Sequence, residues 1–362
     1  MFKQKSTRGI YSEGTDIFMN NTLNDAITVV IPTYNKADFI SQTIESVLQQ
    51  TYEKFEIVII DDCSSDNTEQ VVQKYVSEKI RYFKHSKNLG PGATFNDGIK
   101  KSNTDYITLI ASDDILLPNH LELVINTFAS DKELEVLFPQ LKVINERNED
   151  LKQIIRAPFD DKYKLLNHLF YQGNDIPSPG IAFRKRMFKK ISPYNTNLIL
   201  VHDYDLNVRC LMQTKVLTLP IATVLYRKFS NNTNLSGNTE WYKLCRKIEL
   251  KTVLNNYLNI RHDEMVQIFP QFRQCNKNEI EIKLLLETCK NSYAELSSWA
   301  FENIIEYLNK NKDFFETNNF NFQYKDYIQL YKTYSTKNTD LSHKRRLYNK
   351  LRNIIKLLFG IR

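Results

Sequence analysis

The sequence predicts an α/β fold, in which a doubly wound mixed sheet is flanked by helices and followed by a helical C-terminal region. Three observations predict it. Apolar runs that are continuous rather than alternating, at residues 27–31, 55–60 and 106–110, are typical of strands covered on both faces. Stretches with apolar residues at helical spacing separate these runs. From about residue 240 to 340 the strand pattern stops, and helices rich in Leu, Ile, Tyr and Asn follow.

Strands and helices alternate over the first third of the chain. In order, the pattern predicts strand 27–31, a helix within 38–50, strand 55–60, a helix near 68–76, strand 80–83, a helix ending near Lys101 and strand 106–110. In such β-α-β units the ligand site lies beyond the carboxyl ends of the strands. We therefore expect polar residues that follow different strands to meet in one crevice.

Two of these strands end on adjacent aspartates, Asp61 with Asp62 and Asp113 with Asp114. Two carboxylates at the end of a buried strand repel each other, and burial makes each costlier to ionise. A cation would relieve that cost, and Mg²⁺ or Mn²⁺ carrying substrate phosphates is the hard-cation choice. The alternative for each pair is an aspartate-rich turn.

Several motifs in a fixed order resemble the family 2 glycosyltransferases of the GT-A fold. They are Pro32-Thr33-Tyr34-Asn35, residues 58–66, Asn88-Leu89-Gly90 with residues 96–99, Ala111-Ser112-Asp113-Asp114, His202-Asp203-Tyr204-Asp205-Leu206, and Tyr226-Arg227 with the following loop. The resemblance spans about residues 26–236. Each motif is weak alone, and their common order carries the resemblance.

The resemblance implies a nucleotide-sugar site and its metal. The base of the nucleotide would stack near Tyr34, and Asp62 would accept a hydrogen bond from the N3–H of the base. The full nucleotide-binding set that it implies is Pro32, Thr33, Tyr34, Asn35, Asp62, Asn88, Gly90, Asn96, Asp113 and Arg227. Asp113 and Asp114 would hold Mn²⁺ or Mg²⁺, and which of the two is the direct ligand stays open. Alternatives are a turn aromatic for Tyr34, helix capping for Asp62 and a surface arginine for Arg227.

Three positions depart from the family pattern. Ala111 stands where the first acid of the Asp-Xaa-Asp motif is usual, which weakens the prediction of a metal site. Phe95 stands where an arginine often precedes Asn96, which puts a direct arginine contact to the diphosphate in doubt. Phe229 stands where a histidine often follows Tyr-Arg-Xaa.

Asp203 is the candidate general base. Inversion at the anomeric carbon needs one base on the acceptor side, to take the proton of the attacking hydroxyl. A carboxylate at the start of a helix fits that task. The alternatives are that Asp203 only caps this helix, or that Asp205 is the base. The loop at residues 174–180 is expected to shape the sugar pocket.

Composition indicates the cellular environment of the chain and how it divides into segments. The 362 residues carry a formal net charge of +7, and the five cysteines show no CxxC spacing, which favours a reducing cytoplasm over a disulfide framework or a zinc site. No run reaches 18 apolar residues, so no transmembrane helix is expected. We assign residues 1–25 as a polar extension, 26–238 as the glycosyltransferase domain, 239–342 as a helical accessory domain and 343–362 as a basic amphipathic helix.

The C-terminal segment, residues 343–362, holds seven Lys and Arg residues and no acid. Its aliphatic residues fall at helical spacing, as in helices that lie on anionic membrane surfaces. The alternative is a helix that docks on the protein itself. Nucleic-acid binding is disfavoured, because no aromatic platform accompanies the charge.

These features predict an inverting glycosyltransferase that moves a sugar from a nucleotide-sugar donor, UDP favoured, to a hydroxyl of a lipid-linked surface glycan. The acceptor would be a glycan or glycolipid, and the enzyme would lie in the cytoplasm, peripheral at the inner face of the cell membrane. One alternative is a polyprenyl-phosphate glycosyltransferase, whose ionised acceptor needs no base. Another is a receiver-type Mg²⁺-binding signalling domain. A dinucleotide dehydrogenase is disfavoured because no G-x-G-x-x-G follows the first strand.

Overall fold

The computed structural model describes residues 26–230, 240–311, 314 and 322–337. The chain forms two compact units. The first comprises Met1–Leu165 and Asn174–Cys245, and the second comprises Leu166–Gly173 and Arg246–Arg362. We call them the sheet unit and the helical unit.

The sheet unit contains nine described strands. They are β1 (Ile27–Thr33), β2 (Phe55–Asp61), β3 (Ile80–Lys84), β4 (Tyr106–Leu109), β5 (Ile115–Leu116), β6 (Leu134–Ile144), β7 (Asp150–Ile155), β8 (Ala182–Arg184) and β9 (Lys215–Arg227). The helices that begin in this unit are α1 (Ile40–Leu48), α2 (Thr68–Gln73), α3 (Pro91–Lys101), α4 (His120–Ser130), α5 (Lys162–Gln172), α6 (His202–Gln213) and α7 (Glu240–Asn255).

All nine strands belong to one mixed sheet. Its order is β3-β2-β1-β4-β8-β6-β9-β5, with β7 paired to β6. The neighbours β3, β2, β1 and β4 run parallel, whereas β8 is antiparallel to both β4 and β6. Because β2, β1 and β4 are parallel neighbours, their carboxyl ends lie at the same edge of the sheet. The predicted mixed α/β fold is confirmed.

The core of the sheet unit explains why its strands were recognisable. Ile57, Val58, Ile59 and Ile60 in β2 are all fully buried, as a continuous apolar run predicts for a strand covered on both faces. Helix α3 packs closely on β1, since a Cβ at Gly98 would lie 2.2 Å from Val30 Cγ1. A glycine at position 98 is what permits that approach.

The sequence pattern missed part of the sheet. Strands β5 to β9 were not assigned from the sequence, although β6 and β9 are the longest of the described strands. Helix α1 follows the predicted spacing through Ile40, Ile44 and Val47, but the side chain of Leu48 is 44% exposed rather than part of the core.

The helical unit has its own core. Its further described helices are α8 (His262–Ile268), α9 (Lys277–Thr288), α10 (Ala294–Lys310) and α11 (Tyr324–Lys337). Phe170 lies at the centre, with its ring edge-on to those of Tyr257, Phe269 and Trp299 at centroid distances of 5.0, 5.1 and 5.7 Å. Edge-to-face aromatic pairs of this kind add to the stabilisation from burial. Within the described residues, every helix is too short or too polar to cross a bilayer.

Candidate active site

Three parallel strands deliver polar residues to one edge of the sheet. Thr33 at the end of β1 is paired with Asp61 at the end of β2, and Val30 is paired with Leu109 near the end of β4. The residues that follow these strands, Tyr34, Asp62 and Asp113, therefore emerge at the same edge. Such an edge is where ligands bind in open α/β sheets.

Tyr34 is the exposed aromatic residue of this edge. Its side chain is 48% exposed, whereas the preceding Thr33 is buried and accepts the N–H of Asp62 at its carbonyl oxygen, 2.8 Å away. The hydroxyl of Thr33 has no hydrogen-bond partner within the described residues. Pro32 lies in the strand opposite Ile60. A half-exposed tyrosine beside buried strand ends offers a flat apolar face to a ligand.

The loop after β1 is tied to the loop after β2 by side chains. The backbone N–H groups of Asn35, Lys36 and Ala37 donate to Ser64 Oγ (2.9 Å), Thr68 Oγ1 (2.9 Å) and Asp66 Oδ2 (3.1 Å). In return, Asn35 Oδ1 accepts the N–H of Ser65 at 2.9 Å. Asn35 adopts a left-handed backbone conformation with φ of 51°. Its amide thus joins the two loops, a positioning role that the sequence motif did not distinguish from nucleotide contact.

Asp62 is held by donors from the segment after β3. Oδ1 of this carboxylate accepts the N–H of Leu89 and faces His85 Nδ1, and Oδ2 accepts the N–H of Gly90, each at 2.8 Å. Since an ionised carboxylate can only accept, His85 Nδ1 carries the proton in this pair. Gly90 has φ of +85°, a conformation that favours glycine. Asn88 lies exposed in the same segment.

His85 is a site residue that sequence reasoning missed. It follows a short strand and belongs to none of the motifs, so only the tertiary contact with Asp62 reveals it. Its Nε2 lies 3.6 Å from Asp97 Oδ2. The imidazole therefore links the carboxylate of Asp62 to helix α3.

The side-chain amide of Asn96 is hydrogen-bonded to the backbone of Tyr194 at both ends. Its Nδ2 donates to the carbonyl oxygen of Tyr194 (2.8 Å), and its Oδ1 accepts the N–H of Tyr194 (2.9 Å). Phe95 stacks on the ring of Tyr194 with centroids 4.8 Å apart. Both ends of the Asn96 amide are thus used to fasten α3 to the segment before α6. That Asn96 contacts the nucleotide stays a prediction, and in the structure its amide has this fastening role.

The two acids after β4 have different surroundings. Asp113 is partly exposed, and its Oδ2 lies 2.6 Å from Lys36 Nζ. Asp114 is buried, its Oδ1 accepts the N–H of Arg227 at 2.7 Å, and its Oδ2 has no partner within the described residues. Burial and then the charge of Asp113 raise the pKa of Asp114 well above its ordinary value. Asp113 is the more exposed acid of the pair, and which of the two would hold a metal ion stays a prediction.

Arg227 is buried among protein acceptors rather than aimed at a phosphate. Its Nε donates to the carbonyl oxygen of Asp113 (2.8 Å), its Nη1 to Asn148 Oδ1 (2.5 Å) and its Nη2 to Gln42 Oε1 (3.1 Å). The guanidinium lies 5.1 Å from the ring centroid of Phe39. That Arg227 clamps a phosphate stays a prediction, and in the structure its donors connect the segment after β4 to helix α1 and to the turn between β6 and β7. The rest of the predicted closing loop, Asn231 and Asn232, lies outside the described residues.

Asp203 lies in the first turn of α6 with one oxygen held by a loop. Oδ2 accepts from Ser178 Oγ at 2.8 Å and from Asn174 Nδ2 at 3.3 Å. Burial, and then the charge of Asp203, raise the pKa of the Tyr194 phenol well above its ordinary value. Both Ser178 and Asn174 come from the loop at residues 174–180. Sequence reasoning placed this loop near the sugar but did not pair it with Asp203.

Asp205 differs sharply from Asp203. It is buried, and its Oδ2 pairs with Arg209, 2.9 Å from Nε and 2.8 Å from Nη2. Asp203, by contrast, is only partly buried, and its hydrogen-bond partners within the described residues are neutral donors, with Oδ1 accepting the N–H of Tyr204 at 2.7 Å. The geometry favours Asp203 over Asp205 as the carboxylate that can act on a ligand.

A divalent cation fits this site through one protein carboxylate. Among the described residues, no group of three or more His, Cys, Asp and Glu side chains is arranged to hold a metal ion. Mg²⁺, however, usually binds through one or two carboxylates together with substrate phosphates, rather than in an all-protein cage. The partly exposed Asp113, with its carboxylate paired to a cation of the chain, matches that donor set.

Comparison with known proteins is consistent with this geometry. Residues 28–192 match the family model described as glycosyl transferase family 2. An uncharacterized glycosyltransferase of Methanocaldococcus jannaschii is 26% identical over 234 residues, which cover 64% of this chain and 80% of that protein. One from Rickettsia typhi is 32% identical over 193 residues, 51% of this chain and 58% of that protein. This chain thus spans less than two thirds of the Rickettsia relative.

The fold is also found among solved structures. Residues 1–349 of TarS from S. aureus superpose with a TM-score of 0.53 and 17% sequence identity, covering 86% of this chain and 92% of that one. TarS has also been solved in complex with UDP and with UDP-GlcNAc. At this identity the likeness establishes a shared fold.

Proposed function

We propose that this chain, whose residues 28–192 match the model of glycosyl transferase family 2, transfers a sugar from a UDP-sugar to a hydroxyl of a glycan, with inversion at the anomeric carbon. The observation that carries the proposal is the edge of the sheet where an exposed tyrosine, a held carboxylate and a cation-paired carboxylate meet. In this proposal Tyr34 covers one face of the base, and Asp62 reads its N–H edge. The same fold in TarS accommodates UDP and UDP-GlcNAc, which supports this donor class.

Asp62 limits the choice of base. A carboxylate that is fixed by three donors presents only acceptor lone pairs to a ligand. The imide N3–H of uracil or thymine suits such a group, whereas the N3 of cytosine is itself an acceptor. Guanine also offers N–H donors to a carboxylate, so the preference for UDP, with dTDP as the second candidate, rests as well on the UDP complexes of the TarS fold.

The reaction would proceed as a single displacement. Asp203 takes the proton of the acceptor hydroxyl while the acceptor oxygen attacks the anomeric carbon from the side opposite the diphosphate. Ser178 and Asn174 hold Oδ2 of Asp203, which leaves its carboxylate oriented by the sugar-pocket loop. A divalent cation, Mn²⁺ or Mg²⁺, supplies positive charge to the departing diphosphate when bound. Asp113 is the residue that would hold it.

The acceptor is proposed to be lipid-linked, so that the enzyme works at the inner face of a cell membrane. The support comes from the seven cations and the aliphatic spacing of residues 343–362, which lie outside the described residues. A polyprenyl-phosphate acceptor would not need a base, and the response to loss of Asp203 separates the two acceptors.

The donor class is tested by thermal shift with a panel of UDP, dTDP, GDP and CDP, and their common sugar conjugates, each with Mn²⁺ or with EDTA. A ligand that binds the folded protein stabilises it by mass action, by about 2.7 kcal/mol at a hundredfold excess over its dissociation constant. This stabilisation raises the melting temperature. We expect the largest shift for UDP or a UDP-sugar with Mn²⁺. A larger shift with CDP than with UDP would overturn the assignment of Asp62 as the reader of the base.

A further inference from the structure

The cation that pairs with Asp113 belongs to the chain itself. Lys36 Nζ lies 2.6 Å from Asp113 Oδ2, and the side chains are 27% and 14% exposed. The same ammonium lies 4.9 Å from the ring centroid of Phe229. The backbone of Lys36 is fixed by its N–H bond to Thr68 Oγ1. The side chain of Lys36 thus extends from a hydrogen-bonded loop to the carboxylate of Asp113, which would hold a metal.

This pairing changes the charge that a metal ion would meet. Lys36 Nζ occupies Oδ2 of Asp113, and the neighbouring Asp114 is buried with its Oδ1 bound to the N–H of Arg227. A free divalent cation would have to displace the ammonium from Oδ2 of Asp113, and the positive charge of Lys36 opposes its approach. A cation that arrives on a diphosphate brings its own anionic ligands, and those phosphates also offer the lysine a new partner.

We propose that Lys36 is a diphosphate-binding residue that changes partners, leaving Asp113 for the phosphates of the donor as the cation takes its place. The inference rests on the proposed function and deepens it. A lysine suits such an exchange, because its ammonium is a compact charge on a flexible four-carbon stem with three donors. The metal would then bind together with the nucleotide and only weakly before it.

The test compares Lys36→Met, which keeps the stem and removes the charge, with Lys36→Arg, which keeps the charge. The matched control is Lys84→Met, which breaks a lysine–carboxylate pair of similar length, 2.7 Å to Glu69. Three affinities are measured for each protein, by two methods. Calorimetry gives the affinities for uridine and for UDP in EDTA, and paramagnetic resonance gives the affinity for Mn²⁺ without nucleotide.

In EDTA we expect wild type to bind UDP at least about tenfold more tightly than uridine, since a hydrogen bond to a charged group contributes that much or more. Lys36→Met should lose this preference while keeping its uridine affinity within about twofold, and Lys36→Arg should retain most of it. Without nucleotide, Mn²⁺ should bind about tenfold more tightly to Lys36→Met than to wild type. Lys84→Met should match wild type in both measurements.

Two results would overturn the inference in distinguishable ways. If wild type binds UDP with Mn²⁺ and Lys36→Met changes neither the UDP-to-uridine ratio nor the affinity for Mn²⁺, Lys36 is a structural ion pair and the proposed function stands. If wild type binds no nucleoside diphosphate with or without Mn²⁺, the proposed donor class fails and the inference fails with it.

Discussion

Asp203 and Asp205 lie two positions apart in one turn of helix α6, yet their partners differ. Asp203 is held by neutral donors from Ser178 and Asn174, whereas Asp205 is buried against the guanidinium of Arg209. Neutral donors orient a carboxylate without neutralising it. A buried ion pair that loses one member leaves an uncompensated charge, which is strongly destabilising. Loss of the Asp203 carboxylate should therefore lower turnover, and loss of the Asp205 carboxylate should lower stability.

Asp203→Asn should leave folding and UDP binding nearly intact while it lowers turnover by roughly 10² or more, the typical contribution of a positioned base. Asp205→Asn should instead lower the melting temperature, because Arg209 loses its buried anionic partner. Turnover, UDP affinity and melting curves of the two variants check this. An active Asp203→Asn with an inactive but stable Asp205→Asn would show that the base was wrongly chosen. Activity in both would favour an acceptor that is already ionised.

The acids after β4 should also respond differently to amide substitution. Asp114→Asn keeps the shape of the side chain and can still accept the N–H of Arg227, so it should cost less stability than Asp114→Leu. Asp114→Leu removes that acceptor and should cost about 1–3 kcal/mol. Asp113→Asn should keep the fold and lose the effect of Mn²⁺ on UDP binding. Denaturant unfolding and calorimetry measure these changes, and a full Mn²⁺ effect in Asp113→Asn would remove it as the metal ligand.

Residues of the site were predictable where a strand end fixed them and unpredictable where a distant loop supplied the partner. Tyr34, Asp62 and Asp113 follow buried apolar runs, so topology alone brings them to one edge. His85 and Lys36 carry no such signal and enter through tertiary contacts. Asn96 and Arg227 match sequence motifs, but their hydrogen-bond partners are backbone and side-chain groups of the protein itself.

At the scale of elements, helix α4 connects two strands through one histidine. His120 is fully buried, with Nδ1 2.8 Å from Thr223 Oγ1 in β9 and Nε2 3.1 Å from Thr108 Oγ1 in β4. Thr108 also donates to the carbonyl oxygen of Ile181, so its single hydroxyl proton is used there. His120 Nε2 therefore carries the ring proton, and Nδ1 accepts from Thr223. Burial lowers the pKa of His120 to about 3.

This histidine should make stability fall at acidic pH. The folded protein keeps His120 neutral down to about pH 3, whereas the unfolded chain takes up a proton below its ordinary pKa of about 6.5. The unfolded state therefore binds more protons between these values, and stability is lost as pH falls through this window. Between pH 7 and pH 5, wild type should lose about 2 kcal/mol more than His120→Gln. Denaturant unfolding at the two pH values measures this, and parallel losses in both proteins would contradict it.

The strands also show which elements a sequence pattern can reveal. The runs of β1, β2 and β4 are buried on both faces and bounded by polar residues, so they stand out. Strand β6 contains Pro139 and several polar residues, and β9 mixes exposed, half-buried and buried positions without a regular period. Their pairing to each other and to β8 is decided by contacts distant in sequence, which a local pattern does not contain.

At the scale of the whole molecule, the chain combines a sheet unit that carries the site with a helical unit that has a separate aromatic core. A helical region was expected from the change in composition near residue 240, and the described elements α7 to α11 beyond that point are helices. The assigned boundary at residue 238 remains a prediction. So does the role of residues 343–362, which lie outside the described residues.

Deleting residues 343–362 should release the protein from anionic liposomes and leave transfer to a soluble acceptor largely unchanged. The segment's cations supply long-range attraction that should weaken with salt, since screening shortens their reach to about 10 Å at 0.1 M. Co-sedimentation of the full chain and the truncated chain, with a melting curve for each, measures this. Neutral liposomes provide the control. Equal sedimentation with a lowered melting temperature would indicate a helix that docks on the protein instead.

The hydrogen bonds that join the loops after β1 and β2 have a consequence for the energetics of binding. Because Asn35, Lys36 and Ala37 are each fixed by a side chain of the neighbouring loop, these loops have little conformational entropy left to lose. A nucleoside that docks against Tyr34 therefore meets a surface that is already ordered. Its binding should show the small heat-capacity change of covering one aromatic face, without the larger change that accompanies coupled folding.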